Sequence, residues 1–160
     1  MSNQLSYNLT RISLAFVYLY FGVLKFFDGC SPAEVLAGQT IHLMTLRCVT
    51  PGLALLLLAV FETVLGLLLL TNRLPRTTFV LFLIHMAGTF SPLILMPDSA
   101  FNGSPMMPTL VGQYILKNVV YVAAVSAVFA PVIFGQEASH ATRARQSEPF
   151  EDKFGAAVRL

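Results

Sequence analysis

The sequence predicts an all-α integral membrane protein, a bundle of four transmembrane helices with both termini on the cytoplasmic side. Its composition is the first reason: among 160 residues, 56% are hydrophobic and only 11% are charged. The mean hydropathy is +0.71, whereas a soluble domain carries about a quarter of charged residues. The second reason is the presence of apolar stretches of about 20 residues, the length that a helix needs to cross a hydrocarbon core of about 30 Å.

The four predicted spans cover about residues 7–27, 51–70, 76–96 and 110–134. Helices are expected because they satisfy their own backbone hydrogen bonds in lipid, and Pro51 and Pro75 mark the starts of the second and third. We expect the first span to be retained, because it contains Arg11 and Lys25 and no small-residue cleavage site follows it. The chain thus divides into a membrane domain, residues 1–134, and a polar cytoplasmic tail, residues 135–160.

The orientation follows from the basic residues. One side of the membrane receives the N-terminus, the second loop and the tail, with Arg11, Arg73, Arg76, Arg143, Arg145, Lys153 and Arg159. The opposite loops, about residues 28–50 and 97–109, contain only Arg47 as a lysine or arginine. The positive-inside rule therefore predicts a multi-pass protein of a bacterial-type inner membrane, with both termini cytoplasmic.

The first outer loop has two features of its own. Ser31, Pro32 and Glu34 have the spacing of a capping box, which predicts a short helix at the outer interface. Cys30 and Cys48 stand at the two ends of this loop. A disulfide would close a loop of about 19 residues and stabilise the fold by roughly 3 kcal/mol. Free thiols are the alternative, and a thiol relay is disfavoured because it requires a C-x-x-C.

Several polar residues lie within the predicted spans, where a charge costs about 2.5–3.5 kcal/mol. On the first span, Tyr18, Gly22 and Lys25 share a face. We expect Lys117 in the fourth span to pair with Glu62 in the second, inside the bundle. The whole candidate cluster, ligand-binding or structural, consists of Lys25, Glu62, His85, Gln113, Lys117, Asn118 and Tyr121.

This cluster has three interpretations that the residues leave open. It is an ion pair that fixes helix register, a site for a quinone headgroup, another small ligand or protons, or an interface with a second membrane subunit. Metal binding is disfavoured, because one central histidine and one carboxylate are too few ligands. Nucleic-acid binding is unsupported, because the basic residues form no stripe with interleaved aromatic residues.

The order of short motifs resembles the DoxX/DoxD-like family of small four-helix membrane proteins and its YkgB- and RclC-like relatives. The resemblance covers about residues 7–134 and rests on Gly22, Lys25 and Phe26 in the first span, Glu62 in the second, and Gly112, Lys117 and Asn118 in the fourth. It implies a four-helix membrane fold and a link to redox metabolism or oxidative stress. Some members look like the membrane subunit of a thiosulfate:quinone oxidoreductase.

Two functions are therefore expected as alternatives, and the sequence identifies no catalytic residue. The protein is a membrane subunit of a quinone-linked oxidoreductase or stress-response system, with bound quinone but no redox cofactor of its own, because the chain lacks cofactor motifs. Alternatively, it is a non-catalytic accessory or assembly subunit of a larger, respiratory-type membrane complex. Its expected partners are membrane lipids together with other membrane subunits or a redox partner protein.

Overall fold

A computed structural model describes residues 2–31, 34–130 and 133, and it confirms the all-α architecture. Within those residues the helices are α1 (Ser2–Leu24), α2 (Glu34–Met44), α3 (Pro51–Thr71), α4 (Pro75–Phe90), α5 (Pro92–Leu95), α6 (Pro97–Ala100) and α7 (Leu110–Leu116). A further helical stretch, α8, follows the turn at Lys117 and covers residues 118–130.

Among the described residues, four helical segments are long and apolar enough to cross a membrane. They are Gln4–Leu24, Pro51–Thr71, Pro75–Leu95 and Leu110–Ala130, of 21 residues each. The second and third segments agree with the predicted spans to within one residue, and the fourth begins where predicted. The first begins at Gln4 and ends at Leu24 rather than covering about residues 7–27, and the predicted end of the fourth, at residue 134, lies outside the described residues. The predicted tail, residues 135–160, lies outside the described residues.

The first and second spans pack antiparallel and very closely, because each contributes a glycine to the contact. A Cβ atom on Gly22 would lie 2.8 Å from the backbone nitrogen of Thr63, and one on Gly66 would lie 2.8 Å from Cγ of Leu19. The C-terminal end of α1 is therefore level with the middle of α3, near Glu62. This offset between the two helices positions the site described below.

The other end of this helix pair is fastened by polar side chains. The guanidinium of Arg11 donates to the carbonyl oxygens of Leu69 and Leu70 at 2.6 and 2.5 Å, which otherwise lack partners at the end of α3. The Tyr7 hydroxyl donates to the side-chain oxygen of Asn72 at 2.7 Å, the residue that ends α3 with a positive φ of 52°. The contacts fix the register of α1 against α3.

The short helix expected in the first outer loop is present as α2, and it covers the half of α3 that α1 does not reach. A Cβ atom on Gly38 would lie 3.1 Å from the carbonyl oxygen of Pro51, and Thr40 contacts the sulfur of Met96 at 3.7 Å. We call the end of the bundle where α2, α5 and α6 lie the α2 side. The same end holds the start of α7, where Gly112 packs directly on the carbonyl of Ala100.

The interior of the bundle is apolar and draws on all four spans. Its buried members are Leu14, Ala15, Tyr18, Leu65, Leu69, Phe82, Met86, Val125, Phe129 and Ile133. Many other large hydrophobic side chains are exposed on the outer faces of the helices, as expected for surfaces in contact with lipid tails. The few ionisable groups that lie inside are consequently surrounded by side chains of low polarity.

Candidate functional site

An ion pair between Lys25 and Glu62 lies at the junction of α1 and α3. The Lys25 ammonium is 2.6 Å from Oε2 of Glu62, and the two side chains are only 7% and 9% exposed. Lys25 directly follows α1, and its backbone nitrogen still bonds to the carbonyl of Gly22. Because Gly22 allows α1 to approach α3 so closely, the lysine reaches the carboxylate as soon as the helix ends.

The second carboxylate oxygen of Glu62 contacts His85 on α4, and His85 in turn contacts Tyr18 on α1. Nε2 of His85 is 3.1 Å from Oε1 of Glu62, and Nδ1 of His85 is 3.1 Å from the hydroxyl of Tyr18. An ionised carboxylate can only accept, so the proton of a neutral His85 is assigned to Nε2, and Nδ1 accepts from Tyr18. We call these four residues, Tyr18, His85, Glu62 and Lys25, the polar line.

Aromatic side chains pack against two members of the polar line, His85 and Tyr18. The ring of Phe61 stacks on the imidazole, with centroids 5.8 Å apart and an interplanar angle of 14°. Tyr18 meets the buried ring of Phe82 at 6.1 Å in an edge contact. Such apolar surroundings strengthen the neighbouring hydrogen bonds and make an unpaired polar group costly.

The arrangement can move a proton along its length. A proton that arrives at the oxygen of Tyr18 can displace the hydroxyl proton onto Nδ1 of His85, and the Nε2 proton then passes to Glu62. Each transfer occurs within an existing hydrogen bond of 3.1 Å. Lys25 stabilises the ionised form of Glu62 at the end of this path. The polar line thus combines a proton path with a paired charge inside the bundle.

The structure brings together three of the seven candidate residues, Lys25, Glu62 and His85, and the expected pair of Lys117 with Glu62 is wrong. Lys117 is exposed, and its ammonium lies 4.1 Å from the ring centroid of Tyr114. Lys25 pairs with the carboxylate instead, because α1 ends level with Glu62 in the middle of α3.

Two other candidates of the fourth span, Gln113 and Asn118, also lie away from the polar line, whereas Tyr121 lies near Tyr18. The side-chain amide of Gln113 donates to the carbonyl of Pro108 at 3.4 Å, and that of Asn118 donates to the carbonyl of Tyr114 at 3.2 Å. Tyr121 is half-buried and packs against the apolar core. The lateral position of the fourth span therefore excludes most of its polar residues from the site.

Tyr18 is the member of the polar line that the candidate set lacked. A signal for it exists in the sequence, because it lies four residues before Gly22 and seven before Lys25, on one face of α1. Tyrosines are common in membrane helices, however, and only the position of His85 distinguishes this one.

The cysteines of the first outer loop are both free and exposed. The structure therefore has no disulfide between Cys30 and Cys48, and of the alternatives considered it shows free thiols. The part of the chain that the structure describes also contains no group of three or more His, Cys, Asp or Glu side chains placed to hold a metal ion.

Fold and site together define a small all-α membrane protein with an ion pair and a histidine held between its spans. A family model described as DoxX matches residues 7–95, which is more than half of the chain, and the chain therefore belongs to the DoxX family. The matched segment contains all four residues of the polar line and ends before Lys117. Neither the curated proteins nor the solved structures include a match to this chain.

Proposed function

We propose that this DoxX-family protein is the membrane subunit of a quinone-linked redox system, and that the polar line binds the quinone headgroup and conducts its protons. The observation that carries the proposal is the Glu62 carboxylate, held between Lys25 and His85 within an apolar bundle. Ionisable residues inside a membrane are costly, and they usually mark proton paths or ligand sites.

The ends of the polar line have the capacity to bind a further polar molecule. The Lys25 ammonium has three donors, of which one serves Glu62 and a second reaches the carbonyl of Phe21 at 3.3 Å. The hydroxyl oxygen of Tyr18 retains lone pairs when it donates to His85. A quinone carbonyl could accept from Lys25, and a quinol hydroxyl could donate to Tyr18, without loss of an existing hydrogen bond.

In the proposed reaction, this protein transfers protons and a partner protein supplies the electrons. Reduction of a quinone consumes two electrons and two protons, and the polar line supplies a route for the protons only. The electrons come from a partner protein that holds the redox cofactor. We also propose that the protein resides in the inner membrane with both termini cytoplasmic, because the basic residues concentrate on the side opposite α2.

Quinone titration of the purified protein tests this proposal. A short-chain ubiquinone is titrated into nanodiscs that contain the wild type, Glu62→Gln or, as a matched control, Lys117→Gln. Both variants remove one charge from a span, but only Glu62 belongs to the polar line. Binding is measured on the folded, monodisperse fraction of each protein, because loss of one partner of the ion pair also lowers stability. In that fraction we expect Glu62→Gln to weaken quinone binding at least about tenfold, since it removes a charged partner of Lys25, and Lys117→Gln to bind like the wild type.

Equal binding by Glu62→Gln and the wild type would contradict the proposal, as would equal loss in both variants. Native-membrane purification provides a second readout. Stoichiometric membrane subunits that co-purify without quinone would identify the protein as a non-catalytic accessory subunit instead.

A further inference from the structure

Lys117 has a charge that the described part of the protein does not neutralise. It belongs to the fourth span, yet its only described side-chain contact is with the ring of Tyr114. The acidic residue of the neighbouring spans, Glu62, is already paired with Lys25. A cation at membrane depth needs a counter-charge or an aqueous exit, because the alternative costs about 2.5–3.5 kcal/mol.

The side chain of Lys117 runs toward the α2 side. The span begins there at Leu110, so the Lys117 backbone lies about 10 Å below the helix start at 1.5 Å per residue. Tyr114 is one turn nearer to that end, and the ammonium lies over its ring. The lysine stem therefore directs the charge toward the start of the span, on the α2 side, rather than toward the middle of the bundle.

An interruption of the helix accompanies this lysine, and hydrogen bonds within the chain stabilise it. α7 ends at Leu116 and Lys117 forms a turn before α8. The side-chain amide of Asn118 donates to the carbonyl of Tyr114 at 3.2 Å, and the backbone nitrogen of Val120 bonds to the carbonyl of Lys117 at 3.0 Å. These hydrogen bonds pair backbone groups at the interruption within the chain. The ammonium charge of Lys117 has no such partner among the described residues.

The surroundings of the ammonium suit a phosphate group. Tyr114 is 55% exposed, and Gln113, one turn before Lys117, is also exposed. A phenol and an amide are therefore accessible on the same outer surface as the cation. Tyrosine and lysine are typical residues at the boundary between lipid tails and headgroups. Charge-assisted hydrogen bonds from an ammonium to phosphate oxygens are among the stronger ones.

We propose that Lys117, with Tyr114 and Gln113, forms a binding site for the phosphate of an anionic phospholipid in the leaflet on the α2 side. The outward direction of the ammonium favours a lipid headgroup over a carboxylate on a partner helix, which would have to lie at the same shallow depth. This site is separate from the polar line and does not depend on the proposed quinone function.

Native mass spectrometry of the full-length protein tests the site, with phosphatidylglycerol and phosphatidylcholine as probe lipids. Lys117→Gln removes the charge, Lys117→Arg keeps it, and Arg47→Gln is the matched control, because it removes an exposed cation from a loop on the same side. We expect the wild type, Lys117→Arg and Arg47→Gln to retain phosphatidylglycerol. Lys117→Gln should retain about tenfold less phosphatidylglycerol than the wild type, since one charge-assisted hydrogen bond is removed.

Three results would overturn the proposal. The first is equal retention of both lipids by the wild type, and the second is retention of phosphatidylglycerol by Lys117→Gln at the wild-type level. The third is a membrane protein that co-purifies at one copy per chain and is lost from Lys117→Gln only, which would show that a partner helix occupies the site.

Discussion

Loss of one partner of the Lys25–Glu62 ion pair, at one end of the polar line, should destabilise the protein far more than loss of both partners. In Glu62→Gln the amide oxygen can still accept from His85, so the substitution deletes the charge and keeps that hydrogen bond. The Lys25 ammonium is then left 7% exposed without a counter-charge. In the double variant Lys25→Met, Glu62→Gln no isolated charge remains.

The separation of the two charged atoms sets the magnitude. At 2.6 Å and an effective dielectric constant of about 20, their Coulomb attraction is about 6 kcal/mol. Desolvation of both groups cancels much of this, which is why replacement of a whole buried pair is often neutral. Removal of one partner typically costs about 3–5 kcal/mol. Each single variant should thus shift the unfolding equilibrium constant by at least about 100-fold, and the double variant should recover most of it.

Reversible unfolding in mild detergent, followed by circular dichroism, measures all four members of this cycle. A second cycle with Lys117→Met and Glu62→Gln is the control, because Lys117 does not contact Glu62 in the structure. Its two effects should add within about 0.5 kcal/mol. The reasoning is refuted if Lys25→Met fails to rescue Glu62→Gln, and above all if Lys117→Met rescues it.

Two further outcomes follow from the packing and from the orientation. Gly66→Ala should lower the folded yield, because its Cβ would lie 2.9 Å from the α1 backbone, whereas Gly88→Ala should be tolerated, because nothing lies within 4 Å of its Cβ position. Size-exclusion profiles of fluorescent fusions compare the folded yields of the two variants. Equal yields would show that α1 can shift without cost. In intact cells a membrane-impermeant maleimide should label Cys30 and Cys48, because both are exposed free thiols on the side that we place outside. Labelling only after permeabilisation would reverse the orientation, and labelling only after reduction would show a disulfide.

The spans themselves could be predicted from local sequence, because hydrocarbon imposes requirements that each segment meets alone. A helix that crosses lipid must be apolar, about 20 residues long and self-satisfied in its backbone. The structure therefore agrees with the second span almost residue by residue, 51–70 against Pro51–Thr71. The start of the third span is likewise set by Pro75, which occupies the first helical position.

The partner of Glu62 could not be predicted in the same way, because it depends on how far two antiparallel helices slide past each other. From the sequence alone, all spans are assumed to begin and end at the same level, and on that assumption Lys117 was the expected partner of Glu62. Gly22 and Gly66 instead allow α1 and α3 to interlock in one register, and that register places the end of α1 at the middle of α3.

The sequence by itself thus determined that this protein is a four-helix membrane bundle, since composition and apolar length are properties of each segment, and it identified Lys25, Glu62 and His85 only as candidate site residues. Only the tertiary structure decided that Lys25 rather than Lys117 neutralises Glu62, and that Tyr18 completes the line through His85. The physical reason is that an ion pair requires its two charged atoms to lie within a few ångströms of each other. A change in the vertical offset or rotation of a helix moves its side chains by more than this distance. Those offsets are set by close contacts between glycines and neighbouring backbones, which no single segment encodes.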